Sequence, residues 1–252
     1  MTGLTVDLSG RRALVTGAGQ GIGRSVSQYL AAAGAEVLVN DIDPDRAGAV
    51  ASELAGSEPG RPLVFDVTDW ASVERAVDEV GPVDILVNNA GNAGTQSWQL
   101  VPFHETEPGQ WDRYFDVNLY GVMHCTRAVL PGMITRPQGR IITIVSDAGR
   151  TGEATLAPYA AAKAGAAGFC RSIAREVGQY GITVNCVAMG TMLPPGADPD
   201  SEQMRKNLNR YVIRRRGQPE DAAGIVTYLA SADASWITGQ TYPVNGGYSF
   251  AL

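Results

Sequence analysis

The chain has 252 residues, 44% apolar and 18% charged, enough for one substantial core and unlike a disordered or fibrous composition. Its net charge of −6 argues against bulk nucleic-acid affinity. No run approaches the roughly 18 apolar residues of a membrane span, and Met1–Asp7 has neither the basic nor the apolar part of a secretion signal.

Strand-like and helix-like stretches then alternate from end to end, which implies one continuous α/β sheet and a single domain over 1–252. Arg12–Thr16 reads as a short apolar strand. Ile22, Val26, Tyr29, Leu30 and Ala33 follow at helical spacing until Gly34. Between them lies Thr16-Gly-Ala-Gly-Gln-Gly-Ile-Gly23. Gly17, Gly21 and Gly23 on a strand-to-helix turn allow a tight bend, a close backbone approach to a pyrophosphate, and helix–strand packing.

The second strand, Glu36–Asp41, ends in an acid 20 residues after Gly21, where a carboxylate can accept the adenosine ribose hydroxyls. A 2′-phosphate would meet Asp41 as a like charge, and Gln20 and Ile42 supply no cation for it. These positions favour NAD over NADP. Asn40 and Asp43 stand close enough in sequence to share the polar contacts.

Leu63–Val67 reads as the third strand, placing Asp66 and Val67 at its carboxyl end, and Trp70, Val73, Ala76, Val77 and Val80 mark the next helix. Asp84–Gly91 is a fourth strand running into a turn. Asn88 and Asn89 either support the cofactor or satisfy the turn's own backbone. Residues 92–107, with Trp98 and Phe103, are irregular. A helix with Trp111, Phe115, Asn118, Val122 and Cys125 precedes Pro131, and Asn118 is the one amide on its largely apolar stripe. Such an amide needs partners, whether a backbone group, a water in the core or a site.

Arg140–Ser146 is a near-continuous apolar strand of the kind buried on both faces, and it delivers Ser146 to the carboxyl edge 13 residues before Tyr159. The next helix starts at Pro158 and runs to about Gln179. Tyr159 and Lys163 lie four residues apart on one helical face, and the chain has only two lysines. A phenol is a poor base at neutral pH, and a nearby ammonium favours its phenolate. The pair is either a proton-transfer device or a packed Tyr beside a solvated Lys. The small residues of this helix, Ala160, Ala161, Ala164, Gly165, Ala167 and Gly168, allow close packing within the chain or between subunits.

Ile182–Val187 is a sixth strand, leading into Met189–Gly196 and a polar helix around 200–213. This long excursion, about 190–216, reads as a cover over the ligand edge. Arg214, Arg215 and Arg216 form a basic cluster that reads as a solvated helix end or a phosphate contact. A helix begins at Pro219. Gln240–Asn245 is the last strand, and Pro243 puts it at a sheet edge. His104 and His124 are not spaced as metal ligands or as part of a triad. Cys125, Cys170 and Cys186 form neither a disulfide nor a zinc framework, which favours a reducing cytoplasm.

Taken in order, Thr16–Gly23, Asn88-Asn-Ala-Gly91, Asn118, Ser146, Tyr159-x-x-x-Lys163 and Val184-Asn-Cys-Val187 resemble the short-chain dehydrogenase/reductase family over essentially the whole chain. The resemblance implies a single-domain Rossmann fold, a seven-stranded parallel sheet with helices on both faces, usually assembled as a homotetramer. It implies that Tyr159 is the general acid/base. Lys163 would lower its pKa and hold the nicotinamide ribose, Ser146 would bind the reacting oxygen, and Asn118 would position a water. The implied cofactor contacts are Gly17, Gln20, Gly21, Ile22, Gly23, Asp41, Asp66, Val67, Asn89, Ala90, Gly91, Tyr159, Lys163, Gly190 and Thr191. Met189-Gly190 replaces the family's usual Pro-Gly, and Pro194 replaces a common Thr, for which Thr191 is the shifted substitute.

The expected function is NAD-dependent interconversion of a secondary alcohol and a ketone. The resemblance points to a 3-hydroxyacyl thioester or a cyclic alcohol, with the Arg214–Arg216 cluster placed to receive a carrier phosphate. A sugar or polyol dehydrogenase is the nearest rival, favoured by a polar pocket around Gln96, Glu153 and the cover. A non-catalytic dinucleotide sensor or scaffold belongs to another class, and such proteins often lack the Tyr or Lys retained here.

Overall fold

Valine- and isoleucine-rich runs with no polar face persist as strands only where helices cover both sides of the sheet. A computed structural model, describing residues 6–54, 59–91, 101–192, 202, 206 and 208–250, has this arrangement. Its strands are β1 (Arg12–Val15), β2 (Glu36–Asp41), β3 (Arg61–Val64), β4 (Ile85–Asn88), β5 (Gly139–Ser146), β6 (Ile182–Met189) and β7 (Thr241–Val244). They form one seven-stranded sheet in the order β3-β2-β1-β4-β5-β6-β7, with every pair parallel. The edge position inferred for Pro243 therefore holds.

Successive side chains point to opposite faces, and the core is divided accordingly. Leu14, Leu38, Leu86, Ile141 and Val145 pack on one face against α3 (Trp70–Val80), α5 (Gly121–Thr135) and α7 (Ala157–Val177). Val15, Val37, Val39, Val87, Ile142 and Val187 pack on the other face against α1 (Gly21–Ala32), α2 (Pro44–Glu53) and α8 (Pro219–Ala230). Ile141 is buried in a central strand. Ile141→Ala is expected to lower unfolding free energy by about 2–5 kcal/mol, measured by urea titration.

The strand order doubles back between β1 and β4, so the loops that follow these two strands leave in opposite directions and open a crevice at the carboxyl edge. Register brings the other site strands to the same edge, with Ser146 opposite Met189 and Met189 opposite Val244.

Several boundaries differ from the sequence expectation. The third strand is Arg61–Val64, so Asp66 and Val67 lie beyond its end in the loop, although still on the carboxyl side. Asp66 turns its carboxylate onto the N–H and hydroxyl of Thr68. The helix expected to end before Pro131 continues to Thr135. Proline's fixed φ suits a helix, and its lost N–H falls in a segment that buried Val129 and Met133 anchor to the core. Upstream, α4 (Asp112–Phe115) joins α5 through a π-helical turn, Asp116–Tyr120, that holds Asn118.

Helix α2 was not anticipated at all. Its signals were present in Asp43-Pro44, where the Asp43 side chain accepts the Asp45 and Arg46 N–H groups and Pro44 occupies the first turn. Helix α7 begins and ends within two residues of expectation. Gln96, Trp98, Pro194 and residues 200, 201, 203–205 and 207 of the expected 200–213 helix lie outside the described residues, and the helix does not extend through 209–213, which form turns and bends. No helix among the described residues is long and apolar enough to cross a membrane.

Candidate active site

Gly17 carries the turn out of β1 with φ +60, and a Cβ there would stand 2.8 Å from the Ala90 backbone. Gly23, inside α1, would place a Cβ 2.5 Å from both Asn89 Nδ2 and the Gly17 carbonyl. Any side chain at these two positions drives the β1 and β4 loops apart. At Gly21 the corresponding direction is open, with no atom within 4 Å.

The start of α1 is left open by its own side chains. Its N-cap Gln20 makes no side-chain cap, and no acid occupies the first turn. By contrast, α2 and α3 are capped by Asp43 and Asp69. The uncapped N–H groups, the partial positive end of the helix dipole and the open space at Gly21 make a cradle that fits a pyrophosphate.

The β4 turn is bonded to this cradle. Thr16 Oγ1 accepts the N–H groups of Asn89 and Ala90 at 3.0 Å each, and Asn89 Nδ2 donates to the Thr16 and Gly17 carbonyls at 2.9 Å each. Asn89 thus holds the glycine loop in shape. Asn88 is buried and donates to the Thr126 and Thr143 hydroxyls, a core role. Asn40 was only loosely placed by sequence. It fastens β2 to the third strand through the Leu63 and Phe65 carbonyls, and the loop N–H of Gly17 donates to its Oδ1 at 3.4 Å.

Asp41 is buried at the carboxyl end of β2. Its Oδ2 accepts the Gly19 N–H at 3.1 Å, and its Oδ1 accepts the Asp43 N–H and the Arg46 guanidinium, the latter at 2.7 Å. Arg46 is a residue that sequence reading missed, because the helix carrying it was missed. Val67 is buried, and its carbonyl is held by the ring of His124 at 2.9 Å; that ring also lies against Trp70, a structural role for the histidine.

At the reacting end, α7 brings Tyr159 and Lys163 against the end of β5. Lys163 is buried and donates from Nζ to the Ile144 carbonyl at 2.9 Å, with Nζ 5.9 Å from the Tyr159 ring centroid. Burial pushes its pKa down to about 8. Asn118 is fully buried, donates to the Tyr114 carbonyl, and faces the same backbone point as the lysine. A Cβ on Gly91 would lie 3.0 Å from Asn118 Oδ1 and 3.1 Å from Lys163 Nζ. The π-helical turn that carries Asn118 is a feature often found at functional sites.

The Tyr159 phenol differs in one respect from the sequence expectation. Burial raises its pKa, and the group that pulls it back is a hydrogen bond from Ser146. Taking a phenolate out of water outweighs the help of a hydroxyl, and the buried ammonium is itself destabilised. The Ser146 oxygen also accepts the Ala148 N–H at 3.2 Å, which fixes it at the head of α6 (Ala148–Thr151). Tyr114 meets the Tyr159 ring edge-on at 6.4 Å.

The loop after β6 is held by groups that sequence reading did not find. Gly190 N–H donates to the Val244 carbonyl, and Thr191 N–H donates to the Tyr211 phenol at 2.9 Å. Buried Asp147, next to Ser146, accepts from Arg150, Asn245 and Ser249, tying the C-terminal segment to the site. Arg210 and Tyr248 both reach Glu153. In the expected basic cluster, Arg215 makes a two-point ion pair with Asp221 at 2.7 Å. Among the described residues, no group of three or more His, Cys, Asp or Glu side chains could hold a metal.

The chain is similar to known proteins over nearly its whole length. Residues 17–249 match the family model described as enoyl-(acyl carrier protein) reductase. The chain is 40% identical over 247 residues to a 3-oxoacyl-(acyl-carrier-protein) reductase of Escherichia coli, with 96% of this chain and 98% of the relative covered. It is 41% identical over 249 residues to the enzyme of the same name from Vibrio harveyi, with 96% and 98% covered. Among solved structures, a gluconate 5-dehydrogenase from Burkholderia cenocepacia in complex with NADP and tartrate superposes with a TM-score of 0.88. It is 36% identical, and 98% of each chain is covered.

Proposed function

Because the chain belongs to the short-chain dehydrogenase/reductase family, we propose that it is an NAD-dependent oxidoreductase that interconverts a 3-hydroxyacyl thioester, or a related secondary alcohol, with its ketone. The observation that carries this reading is the meeting of Ser146, Tyr159, Lys163 and Asn118 beside Gly91, on the sheet edge that also holds the glycine cradle. A nicotinamide dinucleotide, when bound, supplies the site that takes up or gives the hydride.

The rest is work for the chain's own residues. In oxidation the Tyr159 phenolate takes the proton from the substrate hydroxyl, and in reduction the phenol returns it. Ser146 holds the reacting oxygen and stabilises the phenolate by hydrogen bonding. The Lys163 ammonium supports that phenolate, and among the described residues only one of its three N–H groups is bound, to Ile144, so the others can serve the cofactor ribose. Asn118 and Lys163 face a common point and would carry the proton onward. Gly17, Gln20, Gly21, Ile22 and Gly23 would hold the pyrophosphate, Asp41 the adenosine ribose, and Asp66, Val67, Asn89, Ala90 and Gly91 the adenine and the inner ribose. Gly190 and Thr191 would hold the nicotinamide, beneath a substrate cover over about 190–216.

Asp41 supports NAD because its buried carboxylate presents a negative charge where NADP carries a phosphate. The identity to 3-oxoacyl reductases supports the thioester. Arg215, engaged with Asp221, gives no support to a carrier-phosphate contact by that residue. The exposed Ala161 and Ala164 on α7 are compatible with a homotetramer closed by helix–helix contacts. A second reading, oxidation of a sugar acid or polyol, is favoured by the Glu153–Arg210–Tyr248 set at the cover's end.

A panel of 3-hydroxyacyl thioesters, simple secondary alcohols, gluconate and polyols, each assayed with NAD and NADP, tests the proposal. The expected result is turnover of thioesters with kcat/KM for NAD exceeding that for NADP by about tenfold or more, one buried charge contact in size. Faster turnover of gluconate moves the assignment to the second reading. Preference for NADP overturns the role given to Asp41.

A further inference from the structure

Arg46 has no place in the scheme so far, yet it makes the shortest polar contact to the carboxylate on which cofactor choice depends. Its Nη2 donates to Asp41 Oδ1 at 2.7 Å, while Asp41 Oδ2 is held by the Gly19 N–H. The three residues are in mutual contact, since a Cβ on Gly19 would lie 2.5 Å from Asp41 Oδ2 and 2.7 Å from Arg46 Cβ. The backbone of Arg46 is fixed as well, because Asp43 Oδ1 accepts its N–H at the start of α2.

The guanidinium is incompletely satisfied. Nε is shielded from water and makes no hydrogen bond, and its 3.5 Å approach to Asp43 Oδ2 is an ionic contact without hydrogen-bond geometry. The side chain is 39% exposed, against 6% for Asp41, so solvent reaches the arginine while the acid is enclosed. A partly exposed cation with an unused donor beside an enclosed carboxylate is a second polar element next to Asp41. It is also the fork geometry that suits a phosphate.

We propose that Arg46 is a specificity-determining residue which offsets the charge of Asp41 and gives the adenosine end a measurable tolerance for a 2′-phosphate. This rests on the reading of Asp41 as the ribose-binding carboxylate. With NAD, Arg46 stays on Asp41 Oδ1 and the ribose hydroxyls use the carboxylate's remaining lone pairs. With a 2′-phosphate it turns its free donors to the phosphate and partly cancels the repulsion from Asp41. Without Arg46 the carboxylate is uncompensated, so discrimination against the phosphate becomes stricter.

Titration calorimetry of the full chain with 5′-AMP and 2′,5′-ADP tests this apart from catalysis. Wild type should bind 5′-AMP more tightly. Arg46→Ala should weaken 2′,5′-ADP by about tenfold while changing 5′-AMP by less than about threefold, as expected for one lost charge-assisted contact. Arg46→Lys should restore part of the difference, and the wild-type advantage over Arg46→Ala should shrink in high salt. Equal weakening of both probes, or no change in either, overturns the role of Arg46. A wild-type protein that binds neither probe, or prefers 2′,5′-ADP, removes the reading of Asp41 and the inference with it.

Discussion

Tyr159→Phe lowers kcat by about a thousandfold with KM for NAD nearly unchanged, the loss expected when a positioned acid/base is deleted. The change removes one oxygen and leaves the ring, so the edge-on contact with Tyr114 and the start of α7 are retained. The Ser146 oxygen still accepts the Ala148 N–H, which keeps the side chain in place, while its own O–H loses the Tyr159 oxygen. The direction of pH dependence follows from the raised phenol. Oxidation requires the phenolate, so wild-type kcat should climb with pH through the alkaline range. Reduction uses the phenol and should stay level near neutrality. In Tyr159→Phe the alkaline rise should vanish. Stopped-flow measurement of nicotinamide absorbance in single turnovers separates this loss from product release. Retention of the alkaline rise in the variant would assign the base elsewhere.

The sheet and the pairing of Tyr159 with Lys163 were legible because each depends on a short-range regularity. Apolar runs such as Ile141–Val145 have one stable use, and a four-residue spacing on a helix fixes Tyr159 beside Lys163 wherever the helix goes. What escaped depends on long-range contacts or on local hydrogen bonding. The π-helical turn at Asn118 has no period of its own. Helix α2 has a weak apolar stripe, so its start was visible only in Asp43-Pro44, and Arg46 was lost with it. Asp147 looked like any polar residue after a strand, and its partners Asn245 and Ser249 are about a hundred residues away in the chain. The pKa of Tyr159 was misjudged for a related reason. Spacing shows that a cation is near, but only packing shows that both groups are buried, and here burial is the larger influence.

Lys163→Met separates the catalytic use of this lysine from its cost to the fold. The ammonium is buried against one carbonyl, and its pKa is about 8 against 10.5 for a free lysine. Below pH 8 the folded protein holds an unfavourable buried charge. Between pH 8 and 10.5 the folded state releases a proton that the unfolded chain keeps, so the unfolded state binds more protons and stability rises with pH. Relative to Lys163→Met, wild type should therefore gain about 3 kcal/mol across that window, two to three pKa intervals of linkage, in paired urea titrations. Activity should move the other way. Loss of a cation 5.9 Å from the Tyr159 ring should lower kcat/KM by about a hundredfold and shift the oxidative pH profile upward by about one to two units. The apparent pKa belongs to the pair, because forming the phenolate favours the ammonium and raises the lysine from its value in the resting site. If the variant kept the wild-type profile while losing activity, Lys163 would act only by holding the ribose. If stability in both proteins followed the same pH curve, the folded and unfolded lysine would release the proton at the same pH, and burial would not destabilise the ammonium in the site.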